Sequence, residues 1–111
     1  TAKTYTLATR TFKYDPTIGS YPEASTRLLK EEDVNNLIKA DLRYMRNEIY
    51  ARHGYAFKLK DIRKQFDYYV DWYMPLSTDI QKELTETENK NIALIKRYEK
   101  YAKEYYDDYG R

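Results

Sequence analysis

The sequence predicts a mainly α fold, a small orthogonal bundle of about four helices that follows an extended N-terminal arm with the composition of a β-strand. From Arg27 onward, apolar residues recur at three- and four-residue spacing, which is the helical period. Gly54 and Pro75 interrupt this pattern where helices would end. The residues before Arg27 are rich in β-branched and aromatic types instead. We therefore expect an arm or linker over residues 1–24 and a helical domain over residues 25–111.

Charge and composition exclude several classes of protein. The 20 basic and 18 acidic residues are interspersed, so the sequence lacks the basic arm that nucleic-acid binding favours. The absence of cysteine removes disulfides and thiol chemistry. No apolar run approaches the roughly 20 residues that a transmembrane helix needs. We expect one domain with no nucleic-acid partner and no transmembrane segment.

Three helices are expected before Pro75. The first is a short helix over residues 28–38, the second runs from Asp41 to His53, and the third begins near Leu59. Their expected buried residues are Leu28 or Leu29, Val34 and Leu37 in the first, Leu42, Met45, Ile49 and His53 in the second, and Leu59, Ile62, Phe66 and Tyr69 in the third.

A fourth and longest helix is expected after Thr85. Thr85 and Glu88 have the spacing of a capping box, in which each side chain accepts the other residue's backbone N–H. A stripe at alternating four- and three-residue spacing then follows one side of the helix; it comprises Ile95, Tyr98, Ala102, Tyr105 and Tyr109. This tyrosine-rich helix and the strand edge of the N-terminal arm are the two surfaces that we expect to mediate self-association, if the chain self-associates.

The run RNEIYARHGY, residues 46–55, combines two arginines, an acid, an amide and the one histidine of the sequence, and much of it has a local structural explanation. Gly54 stands where a helix end favours a left-handed residue. If His53 is the C-cap, Tyr50 and Tyr55 occupy the positions whose side chains touch in a Schellman motif. Glu48 and Arg52 form an acid–base pair four residues apart, in the favourable order for an exposed helix face.

Arg46 and Asn47 are not explained by the helix end. Arg46 borders the apolar stripe, so its guanidinium must reach solvent or find an acid. Glu88 and Asn91, three residues apart on the last helix, are the best candidates. We hypothesise a polar network that links Arg46, Asn47 and His53 to Glu88 and Asn91.

The same residues give little support to catalysis or to metal binding. His53 has no second histidine, cysteine or serine motif beside it to complete a triad, so a structural histidine is the favoured interpretation. Carboxylates such as Glu86 and Glu88 show no recognised metal-ligand spacing. We expect no catalytic residue, no metal and no cofactor. Trp72 and Tyr73 either plug the helices or form an exposed aromatic binding surface.

Several motifs in fixed order resemble one known family. YARHGY at residues 50–55 follows LRYMRNEI and precedes WYMP at 72–75 and ETENKNIALI at 86–95, with Phe57 and Phe66 between them. This pattern resembles the bacterial YARHG domain over about residues 25–98. The resemblance implies a helical, extracellular domain of the kind found in bacterial envelope proteins and lipoproteins, for which no biochemical activity is established. Lys30, Ile38 and Leu59 replace the Ser, Thr or Asp that often precede the family's helices.

From these observations we expect a non-enzymatic interaction or ligand-binding module of a bacterial cell-envelope protein, located outside the cell or in the envelope. Its partner would be an envelope ligand or protein that the sequence does not name. One alternative is an enzyme or enzyme-accessory domain that acts on envelope material with Glu48, Glu88 and His53 as acid and base groups. The other alternative is a self-associating structural domain.

Overall fold

The computed structural model describes residues 6–7 and 10–105, and these are mainly helical, as the sequence predicts. They fall into two compact units, each described here by itself. The first unit comprises the described residues up to Pro16 together with Tyr50–Leu84. The second unit comprises Thr17–Ile49 and the described residues from Thr85 onward.

Two very short strands precede the helices of the described chain. Strand β1 (Thr6–Leu7) pairs with β2 (Arg10–Thr11) in an antiparallel ladder. Thr6 lies opposite Thr11, and Leu7 lies opposite Arg10. The helices are α1 (Glu23–Thr26), α2 (Glu31–Val34), α3 (Lys39–Arg52), α4 (Lys60–Tyr69) and α5 (Glu86–Glu99), with a 3-10 turn at Gln81–Glu83.

The core of the second unit is aliphatic. Helix α1 packs on α5, and both contribute small or branched side chains to the interior. The buried apolar residues are Ala24, Leu29, Val34, Leu42, Met45, Ile49, Ile92 and Ile95. The helical spacing of Leu42, Met45 and Ile49 correctly predicts the buried face of α3, because all three have no exposed surface.

The core of the first unit combines aliphatic side chains with a cluster of aromatic rings. Phe57 stacks on Phe66 with ring centroids 4.9 Å apart, and Tyr73 lies 5.5 Å from Phe66 and 5.9 Å from Phe57. Tyr55 packs edge-on against Phe57 at 4.9 Å. Such offset and tilted arrangements satisfy the quadrupoles of the rings while burying large apolar areas.

The last helix is shorter than predicted. Helix α5 ends at Glu99, so Ala102 and Tyr105 do not continue its stripe, and Tyr109 lies outside the described residues. Beyond the helix, the Lys103 carbonyl accepts the backbone N–H of Lys39 at 2.9 Å. Because the first N–H groups of a helix have no partner within it, this contact caps α3 and requires the chain to leave α5. The uninterrupted tyrosine stripe expected to mediate self-association is therefore absent over residues 100–105.

Only two of the four residues predicted to form the buried face of α4 are buried. Ile62 and Phe66 are buried, but Leu59 is 61% exposed and Tyr69 is 85% exposed. Leu59 is the N-cap residue with extended backbone, so its side chain is not on the helical face. Val70 occupies the next buried position, four residues after Phe66.

The helix predicted over residues 28–38 is a single turn. Helix α2 spans only Glu31–Val34, and within the expected set Leu29 and Val34 are buried while Leu28 is 54% exposed. Asp33 accepts the Lys30 backbone N–H at 2.7 Å, which is one half of a capping box. A further single-turn helix, α1, begins at Glu23 and lies partly within the residues assigned to the arm.

Candidate functional site

The end of α3 is the Schellman motif that the sequence predicts. Gly54 has φ +75°, and its N–H donates to the Ala51 carbonyl at 2.9 Å. The Tyr55 N–H donates to the Tyr50 carbonyl at 3.2 Å, and the two tyrosine rings lie 6.0 Å apart. These are the two hydrogen bonds and the side-chain contact that define the motif with His53 as C-cap.

Gly54 also permits a close approach of the following loop. Its carbonyl accepts the N–H groups of Leu76 at 2.8 Å and Ser77 at 3.2 Å. A β-carbon at Gly54 would lie 3.0 Å from both the Met74 carbonyl oxygen and a Leu76 methyl group. The glycine of the motif is therefore required both by its left-handed backbone and by the space around it.

The two basic residues before Gly54 are enclosed. His53 is only 9% exposed and stacks on Tyr14, with ring centroids 4.4 Å apart and an interplanar angle of 16°. Arg52 is 2% exposed. The sequence placed Glu48 and Arg52 on an exposed helix face, but both are buried, so neither belongs to a solvated surface pair.

Glu48 holds the turn that leads into α1. Its side chain is fully buried, and its two carboxylate oxygens accept the backbone N–H of Ser20 at 2.8 Å and of Tyr21 at 2.7 Å. Gly19, the residue before Ser20, has φ +112°. Backbone donors aimed at a buried carboxylate supply the charge-assisted hydrogen bonds that its burial requires.

Glu88 completes the predicted capping box of α5. Its carboxylate accepts the Thr85 N–H at 3.0 Å, and the Thr85 hydroxyl accepts the Glu88 N–H at 3.0 Å. The Glu88 side chain has no exposed surface. The prediction made from residues 85–88 is confirmed, and at least one oxygen of this carboxylate serves the helix end.

Asn91 joins α5 to the chain around α1. Its side-chain oxygen accepts the Leu29 N–H at 2.9 Å, and its amide nitrogen donates to the carbonyls of Ala24 and Arg27, each at 2.8 Å. The residue is 1% exposed. The buried Asn91 side chain thus links α5 to backbone segments that lie more than 60 residues before it in the sequence.

Arg46 finds an acid that the sequence did not single out. Its guanidinium donates two hydrogen bonds to Glu99, at 2.8 and 3.0 Å, and both side chains are about 20% exposed. Glu99 lies eight residues after Asn91, at helical spacing through Ile95, so the pattern contained a signal for it. Neighbouring Asn47 is 7% exposed.

The residues of the motif and of the hypothesised polar network divide between the two units. Arg46, Asn47, Glu48, Glu88 and Asn91 belong to the second unit. Tyr50, Arg52, His53 and Gly54 belong to the first. A single network that includes His53 stays a prediction.

The loop that follows α4 contains one buried ring, Tyr73, and one half-buried ring, Trp72. Tyr73 is 5% exposed, and its hydroxyl donates to the Tyr55 carbonyl and accepts the Phe57 N–H. Burial raises the pKa of Tyr73. These contacts favour the plug interpretation for Tyr73, whereas Trp72 is half-buried. The most exposed aromatic residues nearby are Tyr68 at 76% and Tyr69 at 85%, which the sequence analysis did not select as site residues.

Neither a metal site nor a membrane-spanning helix is found in the part of the chain that the structure describes. Among residues 6–7 and 10–105, no three or more His, Asp or Glu side chains are grouped so that they could hold an ion. No described helix has the length and apolar composition that crossing a bilayer requires.

The sequence matches the model of one family of domains. The family model described as the YARHG domain matches residues 19–100, which is most of the chain. The chain belongs to this family. Neither the curated proteins nor the solved structures include a match. The pentapeptide that gives the family its name forms the last turn and the C-cap of α3 in this structure.

Proposed function

We propose that this domain is a non-enzymatic interaction module of an extracellular bacterial envelope protein, and that it binds envelope material through exposed side chains rather than through its polar motif. One observation carries the proposal: Glu48 of that motif, and the Glu88 and Asn91 side chains expected to join it in a polar network, are engaged inside the fold. Glu48 accepts two backbone N–H groups, Glu88 caps α5, and Asn91 makes three bonds to the backbone.

The enzymatic alternative needs the same groups to be free for proton transfer. A general acid or base must reach the proton that it transfers, with a substrate within hydrogen-bond distance. Glu48 has no exposed surface and is occupied by Ser20 and Tyr21. Glu88 is also fully buried. These facts argue against acid–base chemistry at Glu48 and Glu88 and favour binding without turnover.

The surface best suited to binding is the end of α4 and the start of the loop that follows. Among the described residues of the first unit, Tyr68 and Tyr69 are the most exposed aromatic ones, and half-buried Trp72 follows three residues later. We call Tyr68, Tyr69 and Trp72 the aromatic edge. Exposed aromatic rings offer a large contact area at a small cost in side-chain entropy, which is a common property of binding surfaces.

Co-sedimentation with insoluble bacterial cell-wall material tests the proposal. The parent protein is expected to pellet with the wall and to release no soluble fragments from it. A Tyr68→Ser/Tyr69→Ser variant should stay in the supernatant at an unchanged melting temperature, because both side chains are exposed. Glu48→Gln should melt lower than the parent and, below its melting temperature, pellet as the parent does.

Two outcomes would overturn the proposal. The first is release of soluble wall fragments by the parent and its loss in Glu48→Gln, which would identify an enzyme. The second is a parent that stays in the supernatant at every wall concentration. Leu28→Ser serves as a control, because Leu28 is also an exposed apolar residue (54%) but belongs to the second unit.

A further inference from the structure

The outer side of α5 carries three positive charges close together. Successive residues of an α-helix are about 100° apart, so Lys96, Arg97 and Lys100 lie within an arc of about 100°. The centre of this arc is roughly opposite Ile95, which is fully buried. All three cations are exposed. Lys103, also exposed, follows just beyond the helix.

The glutamates interspersed with these cations are paired with residues of α3. Glu99 receives two hydrogen bonds from Arg46, and Glu104 lies 3.3 Å from the Lys39 ammonium. Each pair is locally neutral. The segment KRYEKYAKE, residues 96–104, has four cations and two acids, and in the folded chain both acids pair with cations from outside the segment. Lys96, Arg97, Lys100 and Lys103 keep their net positive charge.

Two exposed tyrosines lie among these cations. Tyr101 is 80% exposed and Tyr105 is 81% exposed. The Lys100 ammonium lies 5.7 Å from the centre of the Tyr101 ring. Tyrosine is enriched where proteins meet lipid headgroups, because its ring is apolar and its hydroxyl is polar.

We infer that Lys96, Arg97, Lys100 and Lys103, together with Tyr101 and Tyr105, form a basic–aromatic surface that binds the anionic phospholipid headgroups of a bilayer. The cations neutralise headgroup phosphates, and the tyrosine rings enter the headgroup layer. This peripheral contact requires no transmembrane helix. It uses neither the aromatic edge nor cell-wall binding, so it does not depend on the function proposed above.

Flotation with lipid vesicles tests this inference. The parent is expected to bind vesicles of phosphatidylcholine with about one-third phosphatidylglycerol, and not pure phosphatidylcholine vesicles. Lys96→Gln/Arg97→Gln/Lys100→Gln should weaken binding on the order of a hundredfold, at about fivefold for each cation. The matched control is Lys58→Gln/Lys60→Gln/Lys64→Gln, which removes three exposed cations at or near α4 and should bind nearly as the parent does. Circular dichroism and melting temperature check that both variants fold.

The tyrosines distinguish a bilayer from a dissolved polyanion. Tyr101→Ser/Tyr105→Ser should weaken vesicle binding while leaving binding to inorganic polyphosphate unchanged. The inference would be overturned if the parent ignored the anionic vesicles, or if the control triple variant lost as much affinity as the α5 variant. Equal binding of the tyrosine variant and the parent to vesicles would identify a general polyanion surface and would also overturn it.

Discussion

A β-carbon at Gly19 would lie 2.6 Å from the carboxyl carbon of Glu48. This close approach lets the next two residues of the turn, Ser20 and Tyr21, aim their N–H groups at the carboxylate. The glycine's φ of +112° lies in a region that residues with a β-carbon rarely adopt. Gly19 and Glu48 are therefore one structural device, in which a backbone turn satisfies a buried charge.

Gly19→Ala should be strongly destabilising. The new methyl group meets the Glu48 carboxylate, and the backbone conformation is strained as well, so we expect a loss of about 2–4 kcal/mol in the free energy of unfolding. Urea denaturation followed by circular dichroism measures it. Ser20→Ala is the control, since it keeps the N–H that Glu48 accepts. Equal stability of Gly19→Ala and the parent would show that the turn does not need a glycine.

Asn91→Ala should cost about as much, for a different reason. The change leaves the Leu29 N–H and the carbonyls of Ala24 and Arg27 without their side-chain partner. Buried polar groups that lose a partner typically cost about 1–3 kcal/mol each, partly recovered by water, so we expect about 3 kcal/mol in total. Asn89→Ala, two residues earlier on the exposed side of α5, should change the free energy of unfolding by less than about 0.5 kcal/mol.

Tyr73→Phe should show that the loop ring is held by its hydroxyl as well as by packing. Loss of the bonds to the Tyr55 carbonyl and the Phe57 N–H should destabilise the protein by about 1–2 kcal/mol at neutral pH. Tyr69→Phe, at an 85% exposed position, should have no effect. If the two variants melted at the same temperature, the hydroxyl of Tyr73 would be dispensable.

The pKa of Tyr73 adds a test at alkaline pH. Burial raises this pKa above its ordinary value of 10.0, so the unfolded chain ionises at this residue before the folded chain does. The stability linked to the neutral phenol is complete below pH 10 and is lost as the pH rises through the folded-state pKa. The stability difference between the parent and Tyr73→Phe should therefore narrow above pH 10, and a constant difference would contradict the shift.

The hydrogen bonds of Asp33 predict that the stability of the fold depends on pH under acidic conditions. Its hydrogen bonds with Arg27 lower the pKa of Asp33 from 3.8 to about 2. The linked stability is present above pH 3.8 and is lost as the pH falls through about 2. Because the Arg27 side chain is 48% exposed, solvent screening limits this stability to less than about 1 kcal/mol.

The measurement compares the parent with Asp33→Asn in urea denaturation from neutral pH downward. The difference in stability should disappear between about pH 4 and pH 2. Glu32→Gln removes a neighbouring charge without touching the hydrogen bonds between Asp33 and Arg27, and its difference from the parent should be smaller. A difference for Asp33→Asn that persisted below pH 2 would show that the carboxylate does not act through its charge.

Local features of this chain could be predicted from sequence. The Schellman motif depends on Gly54 and on residues within a few positions of it, and the Thr85–Glu88 box spans four residues. The buried stripe of α3 follows from helical periodicity alone. In each case the physical cause lies within one element, so the spacing of residue types carries the information.

The features that could not be predicted depend on contacts between distant segments. Helix α5 ends at Glu99, and the carbonyl of Lys103, four residues further on, accepts the Lys39 N–H, although the pattern of tyrosines continues. The acid that pairs with Arg46 is 53 residues away. Helical spacing is compatible with a contact between Glu99 and α3, but the sequence favoured Glu88 and Asn91 as the partners of Arg46. Such choices depend on the relative positions of helices.

Arg46 and Glu99 provide a test of one such distant contact by a double-mutant cycle. The two parallel hydrogen bonds are charge-assisted, and each side chain is about 20% exposed, so the coupling should exceed that of a surface pair and reach about 1–2 kcal/mol. The cycle compares the parent, Arg46→Ala, Glu99→Ala and the double variant by urea denaturation. Arg63 and Asp67, an exposed pair four residues apart on α4, provide the reference cycle, with an expected coupling of about 0.3–0.5 kcal/mol. If the coupling in the two cycles were equal, the bond between α3 and α5 would add no more stability than an exposed pair does.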